Sequence, residues 1–473
     1  MTIIEYSRES LKEYYYLVPL IPLLAWVIYY RFVTPLAKIP GPFSASLSRL
    51  WLMRRSVRGD MHQMYIDLHR QYGPVVRTGP TEVSIADPAA IKPIYGIGTK
   101  FTKSGWYAGQ EVSLFAERDE KVHAHFQKLI SGIYSMTSMV DFEPYIDNTI
   151  KSFMQQMRDR VGQSVDLGKW LQLLAFDVIG EITFSKPFGF VQEGNDDGSF
   201  KSLDNAFAFG VWIAQVPWLF WIIFNLKCLI WSSQGVSDDM GKVFSMATEE
   251  MNKRKKLGVV DRPDMLGKAL KLQREKPAEV NDGVLNVIAG QNAIAGSDTT
   301  AITMRAIIYY LLKKPAYMAR LRAEVEKNQT QGLLSNPVTF EQARKMPYLQ
   351  ACISEGLRMH PAVGMTLPRV VPQGGIRIHG YFLPEGTTAG ISAWVVHRDE
   401  AVFGPDADTF MPERWLKGDT KEMDVSLMEM SKVLPTLLMN FDLELADPKK
   451  EWKVNCLYVY AGPFVVPAEF FVD

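Results

Sequence analysis

Residues 283–313 constrain this chain most: they contain no proline, are mostly apolar or small, and stop just short of Pro315. Proline lacks an N–H and its ring clashes with the preceding turn, so it ends a helix. The run therefore predicts one long helix. At its middle stands Ala295-Gly296-Ser297-Asp298-Thr299-Thr300. Glycine inside a helix costs about 1 kcal/mol relative to alanine, which calls for compensation. Close approach of a flat group or ligand to the backbone is one explanation. A kink with hydroxyls bonded back to the helix is the other. An acid beside a hydroxyl also suits proton relay into a pocket.

Further helices are expected over 59–72, 118–135, 138–160 and 340–359, the last closed by Pro361. Strand-like alternation is confined to Val75–Thr78, Glu82–Ile85, Ile376–Ile378 and Thr388–Ile391. The expected fold class is mainly α with a small β region. The chain is 47% hydrophobic, enough for a substantial core, and no repeat or internal linker divides residues 43–473, which read as one large domain.

Three short segments precede that domain: a tail over 1–13, an uncharged apolar run over 14–31 up to Arg31, and a proline-rich stretch over 35–42. The apolar run is at the short end of what crosses a bilayer, and its tyrosines and Trp26 cluster towards its ends as interfacial anchors do. It is expected to be a single membrane-spanning helix. Arg31, Lys38, Arg49, Arg54, Arg55 and Arg58 follow it and favour a cytosolic position for the rest. The prolines predict a stiff, non-helical hinge. A second apolar stretch, Asn205 to Leu226, is interrupted by Pro217 and reads as two helices dipping into lipid.

Charges balance at 52 basic and 52 acidic residues, so no general attraction to nucleic acid is expected. Cys228, Cys352 and Cys456 are odd in number and widely spaced, neither a disulfide framework nor a metal-type motif. Lys253-Arg254-Lys255-Lys256 reads as a solvated helix end, and the aromatic segment Tyr458–Phe464 as a strand pair lining a substrate pocket.

Glu355 and Arg358 stand three residues apart on one helical face, and Arg414 in Pro412-Glu413-Arg414-Trp415 is the candidate third member of a buried ion-pair group. Taken in chain order with the Ala295–Thr300 helix, His397-Arg398-Asp399 and Phe403-Gly404-Pro405-Asp406, these motifs resemble the cytochrome P450 family over nearly the whole chain, in a fungal, membrane-bound form. The resemblance implies a haem cofactor, an apolar small-molecule substrate, electrons from NADPH through a cytochrome P450 reductase, and an endoplasmic-reticulum location with the catalytic domain cytosolic. It assigns Asp298 and Thr299 to the acid–alcohol pair that delivers protons, and Ala295 and Gly296 to the surface over the haem plane. Glu355, Arg358 and Arg414 match the structural triad, and His123, Lys128 and Arg369 match the haem propionate side. At Gln127 the family usually has arginine.

One element of the family is missing. A loop of the form Phe-x-x-Gly-x-Arg-x-Cys-x-Gly normally follows the Pro-Glu-Arg element and supplies the thiolate that binds iron. Here only Leu416 to Val425 separate Trp415 from Ser426, and they contain no cysteine. The helix expected beyond the loop resumes at Ser426, so the loop is cleanly excised, as by a lost exon, an alternative transcript or a faulty gene model. Cys352 reads as a small core residue, and His360 and His397 match family positions that do not bind metal, so no metal ligand is assigned. The chain is therefore expected to be an impaired monooxygenase, plausibly of secondary metabolism or detoxification. The alternative is a haem-free, membrane-anchored binding protein or a non-functional product.

Overall fold

A computed structural model describes residues 20–109, 114–219, 222–223, 241–258, 264–416, 425–452, 454 and 469–472. Helices dominate. The first part contributes α1 (Leu20–Ile28), α2 (Leu50–Arg58), α3 (Met61–Tyr72), α4 (Glu120–Ile130) and α5 (Met136–Arg158). The centre contributes α6 (Leu167–Phe184), α7 (Ser199–Ala214), α8 (Gly241–Leu257), α9 (Met265–Glu275) and α10 (Asp282–Lys313). After these come α11 (Pro315–Thr330), α12 (Pro347–Met359) and α13 (Val425–Asn440).

The predicted long helix is α10. Asn281 caps its start by accepting the Val284 N–H, and Pro315 opens the next helix. Helix α6, buried along nearly its whole length, packs on it more extensively than any other helix. The expected helix over 340–359 is two: Phe340–Arg344, opened by a Thr339–Gln342 capping box, and α12 with Pro347 in its first turn. Proline tolerates only the start of a helix, where its N–H is not needed, so the chain must turn ahead of Pro347.

The β region lies apart from this bundle. Strands β1 (Val75–Gly79), β2 (Glu82–Ile85), β3 (Thr102–Lys103), β5 (Arg369–Val370) and β8 (Thr388–Ile391) form a sheet in the order β1-β2-β8-β5-β3. Strands β6 (Ile376–Ile378) and β7 (Tyr381–Leu383) form a hairpin. The third sheet pairs β10 (Glu469–Val472) with β4 (Ser164–Asp166) and β9 (Leu443–Leu445). The Tyr458–Phe464 segment lies outside the described residues.

The proline-rich stretch is not a free spacer. Pro35–Lys38 forms a 3-10 turn, and Leu36 and Ile39 are buried in the sheet's own core. Arg77 on β1 donates its backbone N–H to Pro40 and a guanidinium N–H to the Tyr30 carbonyl, 2.7 Å in each case. A side chain at Gly41 would overlap the Arg77 carbonyl, so only glycine allows that approach. The end of the N-terminal apolar segment is thus locked to the sheet.

Of the expected anchor, residues 14–19 lie outside the described residues. The remainder is α1 followed by a π-helical turn, Tyr29–Val33. No described helix is long and apolar enough to cross a membrane. The Asn205–Leu226 stretch breaks at Gln215, where α7 ends and the amide is buried. Arg254 departs from the expected solvated run: it is 3% exposed and bonds Asp264 at 2.7 Å, because α8 lays this end against the Phe184–Ser185 turn.

Candidate active site

The helical repeat of about 100° per residue sends the residues of Ala295–Thr300 to different sides of α10. Ala295 is exposed while its neighbours Ala293 and Ser297 are fully buried, and Thr299, one turn later, is half-buried. These two therefore share the accessible face in the middle of an otherwise buried helix. Gly296 turns the other way: a Cβ there would stand 2.8 Å from Ile179 Cδ1 on α6. Its missing side chain admits a neighbouring helix. The hydroxyls of Ser297, Thr299, Thr300 and Thr303 each donate to the carbonyl four residues back at 2.8 Å.

Asp298 also faces α6. Its Oδ1 accepts Gln172 Nε2–H at 2.7 Å. Burial pushes its pKa up to about 7; the Gln172 hydrogen bond opposes the shift and the Asp204 carboxylate adds to it. This carboxyl can hold or release a proton near neutrality, the property a general acid needs.

A cationic cluster forms at the sheet edge. Lys103 and Arg369 are direct cross-strand partners between β3 and β5. Like charges placed opposite each other destabilise a sheet. Lys103 is 6% exposed, and its ammonium bonds only the Leu114 and Glu117 carbonyls among the described residues. Arg369 donates to Tyr107 Oη at 2.7 Å and lies over the Tyr95 and Tyr107 rings. His123, on α4, feels both cations: burial lowers its pKa first, and Lys103 and Arg369 lower it further. Neither Lys103 nor Arg369 has a carboxylate partner among the described residues, so the cluster is suited to an anion. Lys128 is exposed on α4, and no described interaction joins it to this cluster. Lys103 was not legible in the sequence, because only the β3–β5 register brings it opposite Arg369.

Glu355, Arg358 and Arg414 meet in one buried cluster. Arg358 donates to Glu355 through Nε at 2.8 Å and Nη2 at 2.7 Å, and Arg414 Nε reaches Oε1 at 3.1 Å. Met411 N and Trp415 Nε1 complete the shell at 2.7 and 2.8 Å. Trp415 is a partner that spacing did not reveal. Gly356 brings this helix against α10, since a side chain there would overlap Ile307.

The cytochrome P450 family model matches residues 39–426. Cytochrome P450 monooxygenase hepC of Aspergillus oryzae is 37% identical over 466 residues, covering 90% of this chain and 91% of its own. The monooxygenase cicH of Emericella nidulans is 35% identical, with 94% and 95% covered. A pisatin demethylase of Fusarium vanettenii is 34% identical, with 92% and 88% covered. The chain belongs to the cytochrome P450 family.

Membership implies haem, and the residues of this cytochrome P450 chain fit that group in part. The Lys103–Arg369–His123 cluster suits its propionates, and Ala295 and Thr299 leave an accessible face on α10. Among the described residues no side chain offers the iron a matching donor. Cys352 is fully buried within α12, and its thiol pKa is raised well above the usual range, by burial first and then by Glu324 and Glu413. A thiol held protonated is not a thiolate ligand. His360 is also fully buried, stacks on Trp452 at 4.9 Å and is held neutral, its pKa lowered to about 3 by burial. Residues 417–424 contain no cysteine, and they, Cys228 and Cys456 lie outside the described residues. No cluster of metal-ligating side chains occurs among the described residues.

Proposed function

We propose that the reaction belonging to this fold is insertion of one oxygen atom from O2 into an apolar small molecule, a fungal secondary metabolite. NADPH supplies the electrons through a reductase. This chain, as its sequence stands, would carry that reaction out poorly. The reading rests on one observation: Trp415 and Ser426 are joined by ten residues, Leu416 to Val425, without a thiolate donor, while the motifs before and the helix after them are intact. Asp298, Thr299 and the Lys103–Arg369 cluster keep the proton-handling and anion-binding halves of the site. The axial half is absent, and thiolate donation is what drives O–O cleavage in this chemistry.

The test is the spectrum of purified, dithionite-reduced protein under carbon monoxide, with and without added haemin. The expected result is no band at the thiolate-characteristic Soret position. Such a band, or product formation with NADPH and a reductase at the rate of intact relatives, would overturn the reading of impairment. Protein that folds without any haem favours the binding-protein alternative.

We further propose that the N-terminal segment anchors the chain in the endoplasmic-reticulum membrane, with the domain cytosolic. Supporting this, Leu20, Ile21, Leu23, Leu24 and Trp26 are each about half exposed or more, and Trp218 is 64% exposed. Expressed in yeast, the chain is expected in the carbonate-resistant membrane fraction, and deletion of residues 1–31 should release it. Full-length chain in the soluble fraction would refute this placement.

A further inference from the structure

Helices α6 and α10 meet along a seam whose members are far apart in sequence. Gly168 lies against the Arg305 guanidinium, Gln172 against Asp298, and Ile179 against Gly296. Glycines on both helices bring the backbones close. Around Gln172, helix α6 is apolar: Trp170, Leu171, Leu173 and Leu174 are all buried. Gln172 itself is 8% exposed. A buried amide in such a helix is costly unless it is satisfied, and its donor is spent on Asp298 Oδ1 at 2.7 Å. The acid is thereby turned toward α6, whereas Thr299 leaves α10 about 100° further round and bonds the Ala295 carbonyl. On the third side, α7 presents Asp204, a half-buried acid whose charge is felt at Asp298. No cation is paired with Asp298 among the described residues.

We propose that Gln172 is a positioning residue whose amide holds the Asp298 carboxyl on the α6 side of helix α10, so that proton delivery toward Thr299 requires this hydrogen bond to open and Asp298 to rotate. The inference deepens the reading of Asp298 as the proton-handling acid and rests on it. Gln172 acts through Asp298 and touches no reacting atom. Asp204 works in the opposite sense, favouring the protonated acid.

The contact can be read in the chain as expressed, without haem and without turnover. Infrared difference spectra of 13C-aspartate-labelled protein, with Asp298→Asn to identify the band, report the Asp298 carbonyl stretch and its titration. In the parent the band should titrate near pH 7. Gln172→Met keeps the side-chain length but removes the donor. It should raise the apparent pKa by about one unit, a tenfold change in proton affinity, and move the carbonyl frequency. Asp204→Asn should lower the pKa. Unchanged frequency and titration in a Gln172→Met protein that melts like the parent would overturn the proposal.

A second measurement needs no folded variant at Gln172. In the parent, the selectively 15N-labelled Gln172 side-chain amide should shift with the same pH midpoint, and in Asp298→Asn it should not; an amide that ignores pH in the parent also overturns the proposal. A failed carbon monoxide spectrum leaves both readouts intact, so this inference and the functional reading can fail separately.

Discussion

Glu355→Ala is expected to leave a chain that no longer folds cooperatively at growth temperature, with a loss of about 3–5 kcal/mol. The carboxylate is wholly buried and accepts from Arg358, Arg414, the Met411 N–H and Trp415 Nε1. Removing it strands the Arg358 guanidinium, 2% exposed, without its counter-charge and leaves Arg414, 10% exposed, with only the more distant Asp406 carboxylate at 3.7 Å. Arg358 also donates to the Ala407 and Thr409 carbonyls and so ties α12 to the segment leading into Trp415. Loss of the carboxylate therefore loosens the segment leading into Trp415. Chemical denaturation followed by circular dichroism checks this, with Glu355→Gln expected to retain part of the stability because it still accepts. A loss below about 1 kcal/mol, the scale of an exposed pair, would show that the network contributes little.

Glu429→Gln should have the opposite sign and make the chain more stable. Glu429 lies on α13, just beyond residues 417–424, between the buried Met428 and Met430. It is 4% exposed, and its Oε1 has no hydrogen-bond partner among the described residues. Lys432, one turn on, is taken up by Glu143 and by Asp147 at 2.8 Å. Burial alone raises the Glu429 pKa from 4.5 to about 8. A carboxyl whose folded pKa is raised carries no penalty below the unfolded value. Between the two values the unfolded chain ionises while the folded chain cannot, and stability falls as pH rises until it levels off above the folded pKa. Against the parent, Glu429→Gln should therefore show almost no difference near pH 4, a gain growing through neutrality to about 4 kcal/mol near pH 7.5, and a plateau above pH 8. Comparing the two proteins cancels the other raised acids, such as Asp298 and Glu181. Urea midpoints measured from pH 4 to 9 read this directly, and parallel curves for the two proteins would contradict it.

Such an orphaned carboxyl is rare in native proteins, where nearly all buried polar atoms are paired. It sits in the first turns of α13.

Much of the fold was readable without coordinates. Proline-bounded apolar runs placed α10 and the end of α12, and alternation placed β1, β2, β6 and β8, because helix and strand periods are local properties of the backbone. Where local signals conflicted, the reading slipped. Residues 340–359 look continuous by periodicity, yet Pro347 divides them. Arg254 looks solvated within a basic tetrad, yet it meets Asp264. Pro35–Pro42 reads as a stiff, non-helical hinge, yet Pro35–Lys38 forms a 3-10 turn and Arg77 bonds the Pro40 carbonyl.

The sequence by itself determined the motifs, their order, and the absence of a cysteine between Trp415 and Ser426, since these are covalent facts that no packing can alter. Only the tertiary structure decided what those residues face. Gly296 receives Ile179, Asp298 is held by Gln172 from 126 positions away, Lys103 stands opposite Arg369, and Glu429 Oε1 has no hydrogen-bond partner among the described residues. The physical reason is that a residue's charge state and contacts follow from burial and from partners brought in by other segments. No short-range pattern along the chain encodes which segment that will be.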